Sequence, residues 1–306
     1  MESQQVLVQS RKLLKEQHRL LFKRFLSNKL MLTGSVILFF LLAVAAIGPF
    51  IVTYSPTEML AKERLAAPSA SHWLGVDNFG RDLLARVVHG AKISMGIGIA
   101  VTLITSLVGL VIGVYASYYR ILDHILMRIC DGLMAIPGIL LSIALMAVLG
   151  PSITNIIIAL SIVFTPSIAR VVRSVALVVY RENYIEAIKS QGASPTRIIW
   201  RHIVPNTISA LVIQATFIFA ETVIVEASLS FLGVGVPVPT PSWGSILYDG
   251  KFEIFQAWWM VVFPGAMIIL AVVSLNMLGD GLRDLIDPHF QSAKKLKKGR
   301  LRKKLT

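Results

Sequence analysis

Six stretches of this chain are each long and apolar enough to cross a lipid bilayer, and that constrains its fold more than anything else in it. They lie near residues 31–53, 93–117, 132–150, 153–176, 207–228 and 257–279. A helix needs roughly 20 apolar residues to span about 30 Å of hydrocarbon at ~1.5 Å per residue. Backbone polar groups find no water in that layer, so the spans are helical. The expectation is an all-α integral membrane protein with about six transmembrane helices. Pro137 breaks the third stretch, whose helix is expected to start earlier, near Ile125. The second carries Gly96, Gly98, Gly109 and Gly113, small residues that let helices approach closely in lipid. No internal repeat is visible. Of the 306 residues, 55% are hydrophobic and 15% charged, and the mean hydropathy is +0.70, more apolar surface than a soluble domain can cover.

The basic residues assign the sides. Of 30 Lys and Arg, 24 fall on one alternation of the non-membrane segments and 6 on the other, counting Arg170 and Arg173 with the fourth loop. The positive-inside rule then puts both termini and the fourth loop in the cytoplasm, with 54–92 and 229–256 outside. Residues 1–30 precede the first span, which is expected to be a retained anchor because its apolar run exceeds that of a cleaved signal. Val6 to Phe25 mixes Leu13, Leu14, Leu20, Leu21 and Phe22 with basic residues, and two readings stand: an amphipathic helix on the inner leaflet, or a disordered basic tail. Residues 31–288 make the transmembrane domain, and 289–306 a basic cytoplasmic tail touching solvent or lipid. The net charge of +13 argues little for nucleic acid, since the basic stretches flank apolar runs instead of lining a folded basic face. A lone cysteine, Cys130, excludes an internal disulfide or Cys-based metal cluster and is expected to be a small core residue.

The fourth loop, Arg181 to Asn206, reads as two short helices and a turn. Asn183 and Glu186 stand at capping-box spacing for the first. Gly192 supplies the left-handed residue that ends it. Ser194 caps a second helix with Pro195 at its first position, and Pro205 is expected to close it before the next span. A short amphipathic helix projecting from a membrane domain suits a partner's groove.

Glu186-Ala187, Gly192 six residues after Glu186, and Pro205 thirteen after Gly192 resemble the "EAA" loop of ABC-importer permeases. Ile188, His202 and Val204 depart from the general pattern, while Arg201-His-Ile-Val-Pro-Asn206 looks like the peptide/nickel branch. His72–Asp82, Phe231–Gly244 and Gly279–Pro288 extend the resemblance over most of the chain, nearest in pattern to the C-type subunits of dipeptide, oligopeptide and nickel permeases. The resemblance implies a type I ABC-importer permease fold in a bacterial inner membrane. It implies a partner set of a homologous second permease, two ATPase subunits and an extracytoplasmic substrate-binding protein. In it Glu186, Ala187, Gly192 and Pro205 belong to the loop that docks on an ATPase. ATP and Mg would sit on those ATPases, with no cofactor, metal or catalytic residue in this chain. Consistent with that, no Gly-x-x-x-x-Gly-Lys-Ser/Thr phosphate loop occurs.

Other residues carry paired readings. Asp77, Gly80, Arg81 and Asp82 lead into a helix at Leu83; they serve its dipole and a tight turn, or a gate or binding-protein contact outside. Glu221 and Glu226 fall in or near the fifth span, where a carboxylate faces a water-filled path or a buried partner. The segment 233–244 is too rich in Gly and Pro for a regular helix, and Trp243, Trp258 and Trp259 are expected at the outer interface. Asp280, Arg283 and Asp287 stand at pairing distance along a helix. Peptides are the expected cargo, with nickel or a metal chelate as the alternative. An ion-gradient-driven secondary transporter is the alternative from another class. It would want charged or broken helices in matching halves, and beyond Glu221 and Glu226 little of that is present. An intramembrane enzyme would want a zinc helix or nucleophile motif that the sequence lacks.

Overall fold

The computed structural model describes residues 25–286, and apart from one isolated bridge between Val76 and Asp82 everything it describes is helix, turn or loop. Ten helices follow in order: α1 (Lys29–Ile51), α2 (Leu83–Tyr118), α3 (Arg120–Met134), α4 (Gly138–Leu149), α5 (Ile153–Tyr180), α6 (Asn183–Ser190), α7 (Pro195–Ile198), α8 (Val204–Phe231), α9 (Trp243–Gly250) and α10 (Trp259–Ile286). Among the described residues, five helical segments can cross a membrane, and the bent pair α3–α4 makes a sixth if counted as one span. This is a multi-pass membrane protein. The N-terminal stretch Val6–Arg24 and the tail 289–306 lie outside the described residues.

Helices α2 and α5 form the centre of the bundle. They approach closely because a side chain at Gly109 would meet Ile168 at 2.7 Å and one at Gly113 would meet the Ala169 carbonyl at 2.7 Å. Helix α8 packs on both and on α10, and α1 closes the bundle against α10 and α2. Phe39, Phe40, Phe50, Leu103 and Leu107 stay exposed along the outside, apolar surface that lipid covers.

Several expectations need correcting. The second span begins at Leu83, ten residues before its expected edge. Arg86 breaks the hydropathy there, but acidic partners neutralise it and the helix runs on. The third span is two helices meeting at 91°. Pro137, which cannot continue α3, stands at ψ 128° as the N-cap of α4. Cys130 is buried in α3, as expected. Of the three tryptophans placed at the interface, only Trp258 is exposed. Trp243 and Trp259 are core residues whose indole N–H groups donate to the carbonyls of Val87 (3.2 Å) and Val76 (3.1 Å). Those carbonyls supply the polar partner that interfacial water would otherwise give. Among the described residues no ion pair joins Asp280 and Arg283; both are exposed, where such a pair contributes little. Asp287 lies outside the described residues.

Candidate functional site: the two-helix loop and the charged outer lobe

Helix α5 ends at Tyr180, and the chain turns at once into α6. Asn183 is already the first helical residue, and no side chain caps this helix. The expected Asn183–Glu186 box is absent because Arg181 and Glu182 bond back to Val178 and Val179, closing the previous helix in two residues. The other end forms as expected. Gly192 takes φ +80°, its N–H donates to Lys189 O (3.0 Å), and Ala193 N–H donates to Ile188 O (3.3 Å). These two crossed bonds satisfy the last carbonyls of α6 and need a left-handed residue between them. Ser194 accepts from Arg197 N–H, with Pro195 in the first turn of α7.

Pro205 does not close this second helix. A π-helical turn, Ile199–Ile203, follows α7 and delivers the chain into α8, so Pro195–Phe231 is one helix of 37 residues. Val204 N–H donates to Ile199 O, five residues back. The widened turn accommodates a proline that lacks its own N–H.

The loop has two chemically distinct faces. Ile185, Ile198, Ile199 and Ile203 are each at most 1% exposed, in one core cluster with Val114 of α2 and Val172 and Ala176 of α5. Ile188 and Ala193 pack against the same cluster. Opposite them Glu182, Tyr184, Glu186, Ala187, Lys189, Arg197, Trp200 and Arg201 are exposed. The loop is therefore anchored in the bundle and presents a mixed-charge surface with two large aromatics.

At the other end of α2 the segment 52–82 folds into a lobe. Asp82 caps α2 through Ala85 N–H (2.7 Å). Asp77 accepts from Phe79 N–H, Arg81 N–H and Arg81 Nε (2.6 Å), and also pairs with Arg86 Nη1. Asp249 of α9 joins both arginines, at 2.8 Å from Arg81 and 3.0 Å from Arg86. Two anions and two cations thus balance in a site where Asp77 and the arginines are almost wholly buried. Gly80, at φ +80°, packs against Leu60, whose N–H donates to the Gly80 carbonyl (2.8 Å). Among its large apolar side chains the lobe exposes Met59, Leu60, Trp73 and Phe79.

His72 sits beneath it, with Nδ1 2.8 Å from Asp82 and Nε2 2.8 Å from Glu63. Burial opposes its charge, but the Asp82 and Glu63 carboxylates outweigh that and raise its pKa above the ordinary 6.5. A raised folded value means the imidazolium's stabilisation is complete below about 6.5 and is lost as pH rises through the folded pKa. The melting temperature of wild type relative to His72→Phe is therefore expected to be greatest near pH 5 and to shrink towards about pH 8. A difference independent of pH would remove His72 as the titrating group.

Inside the bundle, Glu226 is fully buried and its carboxylate accepts from Ser94 (2.9 Å) and Ser230 (2.8 Å). Glu221, five residues earlier, is exposed on α8. Arg86, Asp249 and the serines around Glu226 escaped sequence reasoning. The available signal was an arginine in the first turn of an apolar helix, which demands an anion that only tertiary structure could identify.

Residues 105–292 match the family described as "Binding-protein-dependent transport system inner membrane component", and residues 17–68 match "N-terminal TM domain of oligopeptide transport permease C". The chain belongs to the binding-protein-dependent transport permeases. It is 42% identical over 269 residues to a putative peptide transport system permease protein of Brucella abortus, covering 88% of this chain and 91% of that one. It is 41% identical over 272 residues to the dipeptide transport system permease protein DppC of Alkalihalophilus pseudofirmus (89% and 90% covered). The glutathione transport system permease protein GsiD of an Escherichia coli strain is 41% identical over 272 residues (88% and 90%). Among solved structures, a chain of the inward-facing MetNI methionine ABC transporter superposes with a TM-score of 0.55 at 23% identity, covering 66% of this chain and 96% of that chain. That likeness is one of fold.

Proposed function

We propose that this chain is one of two permease halves of an ATP-driven importer that brings di- or oligopeptides across a bacterial inner membrane. The observation that carries the reading is the two-faced loop 181–206, whose isoleucines are locked into the bundle while Glu186, Ala187 and Gly192 are exposed. Such a loop carries a push on its polar face into α2, α5 and α8 without a flexible joint. The loop and both termini are then cytoplasmic, in keeping with the distribution of Lys and Arg. Two ATPase subunits dock there and hold ATP and Mg, a homologous permease completes the pore, and a binding protein delivers substrate from outside. The binding protein meets the lobe's exposed Trp73 and Phe79, which the buried Asp77–Arg81 cluster holds in place, and Glu221 lines the path. The peptide class is supported by relatives named for peptide, dipeptide and glutathione transport.

The test is reconstitution in proteoliposomes of this chain with the second permease, ATPases and binding protein encoded beside it. Uptake of dipeptide is expected only with ATP inside and binding protein outside. Uptake driven by an ion gradient without the ATPases would sink the reading.

A further inference from the structure

Two arginines of α5 reach α3, and they differ in a telling way. Arg173 grips Asp123 with two nitrogens, Nη2–Oδ2 at 2.7 Å and Nε on the other oxygen, and both side chains are less than one-third exposed. This bidentate pair fastens α3 to α5. One turn earlier, Arg170 Nη2 donates to Asp131 Oδ1 at 2.6 Å through a single contact, with side chains 45% and 57% exposed. An exposed pair of this kind contributes little to stability.

Its depth makes that exposure meaningful. Tyr118 and Tyr180, in edge-to-face contact at 5.3 Å, join Tyr115 and Tyr119 in an aromatic cluster where α2 and α5 end. Such clusters mark a membrane interface. Arg170 lies ten residues before Tyr180, about 15 Å further into the span. A charged, exposed pair at that depth faces water or protein, since lipid would be too costly. On α3 the exposed neighbours one turn either side of Asp131 are Arg128 and Met134, so the surface there is mixed. Ser167 and Ser174 share the Arg170 face of α5, and Gln214 of α8 donates to Ser167 (3.1 Å). Gln214 and the exposed Glu221 lie seven residues apart on one face of α8, with Phe217 and Ile218 between them.

We propose that Arg170 and Asp131 form a water-accessible zwitterion site on the translocation path, taking the carboxylate and ammonium termini of a passing peptide. The inference rests on the importer reading. A peptide carries the same two charges as the pair, so Arg170 exchanges Asp131 for the peptide carboxylate while Asp131 accepts the peptide ammonium. One ion pair becomes two, each in water, so the net gain is small. Weak binding is what a conduit requires, since a substrate that enters must also leave. The Arg173–Asp123 clamp keeps α3 in place while Arg170 changes partners.

The test uses the complete transporter carrying Arg170→Cys on a Cys130→Ala background. The new thiol is labelled from the coupling-loop side with cationic and anionic methanethiosulfonates and read on this chain by mass spectrometry. The cationic reagent is expected to react about tenfold faster, because Asp131 is left unpaired and concentrates cations. Asp131→Asn should erase that preference. In a Ser174→Cys variant on the same background, which keeps Arg170 and Asp131, dialanine at millimolar concentration should slow labelling, and N-acetyl-dialanine amide should not. No labelling, no charge preference or equal slowing by both peptides overturns the site. Peptide uptake by the unsubstituted transporter is measured alongside. Its absence overturns the importer reading and the inference with it, whereas uptake without the labelling pattern overturns the inference alone.

Discussion

Gly192→Val is expected to cut substrate uptake at least about tenfold while the spanning helices still insert and assemble. A side chain at Gly192 would meet nothing within 4 Å. The cost is therefore conformational: φ +80° in a β-branched residue costs about 1–3 kcal/mol. The chain relieves it by rotating out of the left-handed region, which breaks the crossed bonds at Lys189 and Ile188 and re-aims α6 relative to α7. Gly192→Asn tolerates that region and should keep much of the uptake. Glu186→Lys reverses a charge on the exposed face without touching the cap and should weaken ATPase docking. Uptake and co-purification of the ATPases are measured together. Wild-type uptake in both Gly192→Val and Glu186→Lys would mean that this loop does not couple.

Asp77→Ala is expected to have the largest effect on the folded state. The substitution leaves Arg81 and Arg86 buried with one anion, Asp249, between them, and also strands the N–H groups of Phe79 and Arg81. Removing one partner of a buried charge network costs about 3–5 kcal/mol, more than replacing the whole network with apolar groups. The detergent-solubilised variant should melt well below wild type, and Asp77→Ala with Arg86→Met should recover part of the loss because the net charge balances again. If Asp77→Ala melts like wild type, the lobe does not depend on this cluster.

What the sequence revealed and what it hid divide along physical lines. The spans followed from apolar length, and the loop from a glycine and a proline whose backbone demands are local: Gly192 and Pro195 behave as their dihedral preferences require. Pro205 was misjudged because a local rule for proline ignores a π turn, which depends on how Ile199 and Ile203 pack into the bundle. Trp243 was misjudged for a related reason. Indole prefers an interface only when no buried carbonyl is on offer, and Val87 O, 156 residues away, is one. The Arg86–Asp249 contact spans 163 residues, and periodicity carries no information at that range.

The unbroken helix from Pro195 to Phe231 has a mechanical consequence. At 37 residues it is about 55 Å long, one rigid shaft between the loop surface and the far side of the bundle. Its far end is gripped as well, since Ser230 Oγ binds Val236 N–H and the Glu226 carboxylate and so ties the shaft to the segment that precedes α9. A shaft held at both ends transmits torque as well as displacement. Successive residues are about 100° apart around a helix, so the extra residue housed in the π turn sets the angular phase of everything beyond it. The two ends of the helix are thereby geared to each other. A twist imposed beside Arg197 would reach Phe231 only after passing through the π turn, where that gearing can slip.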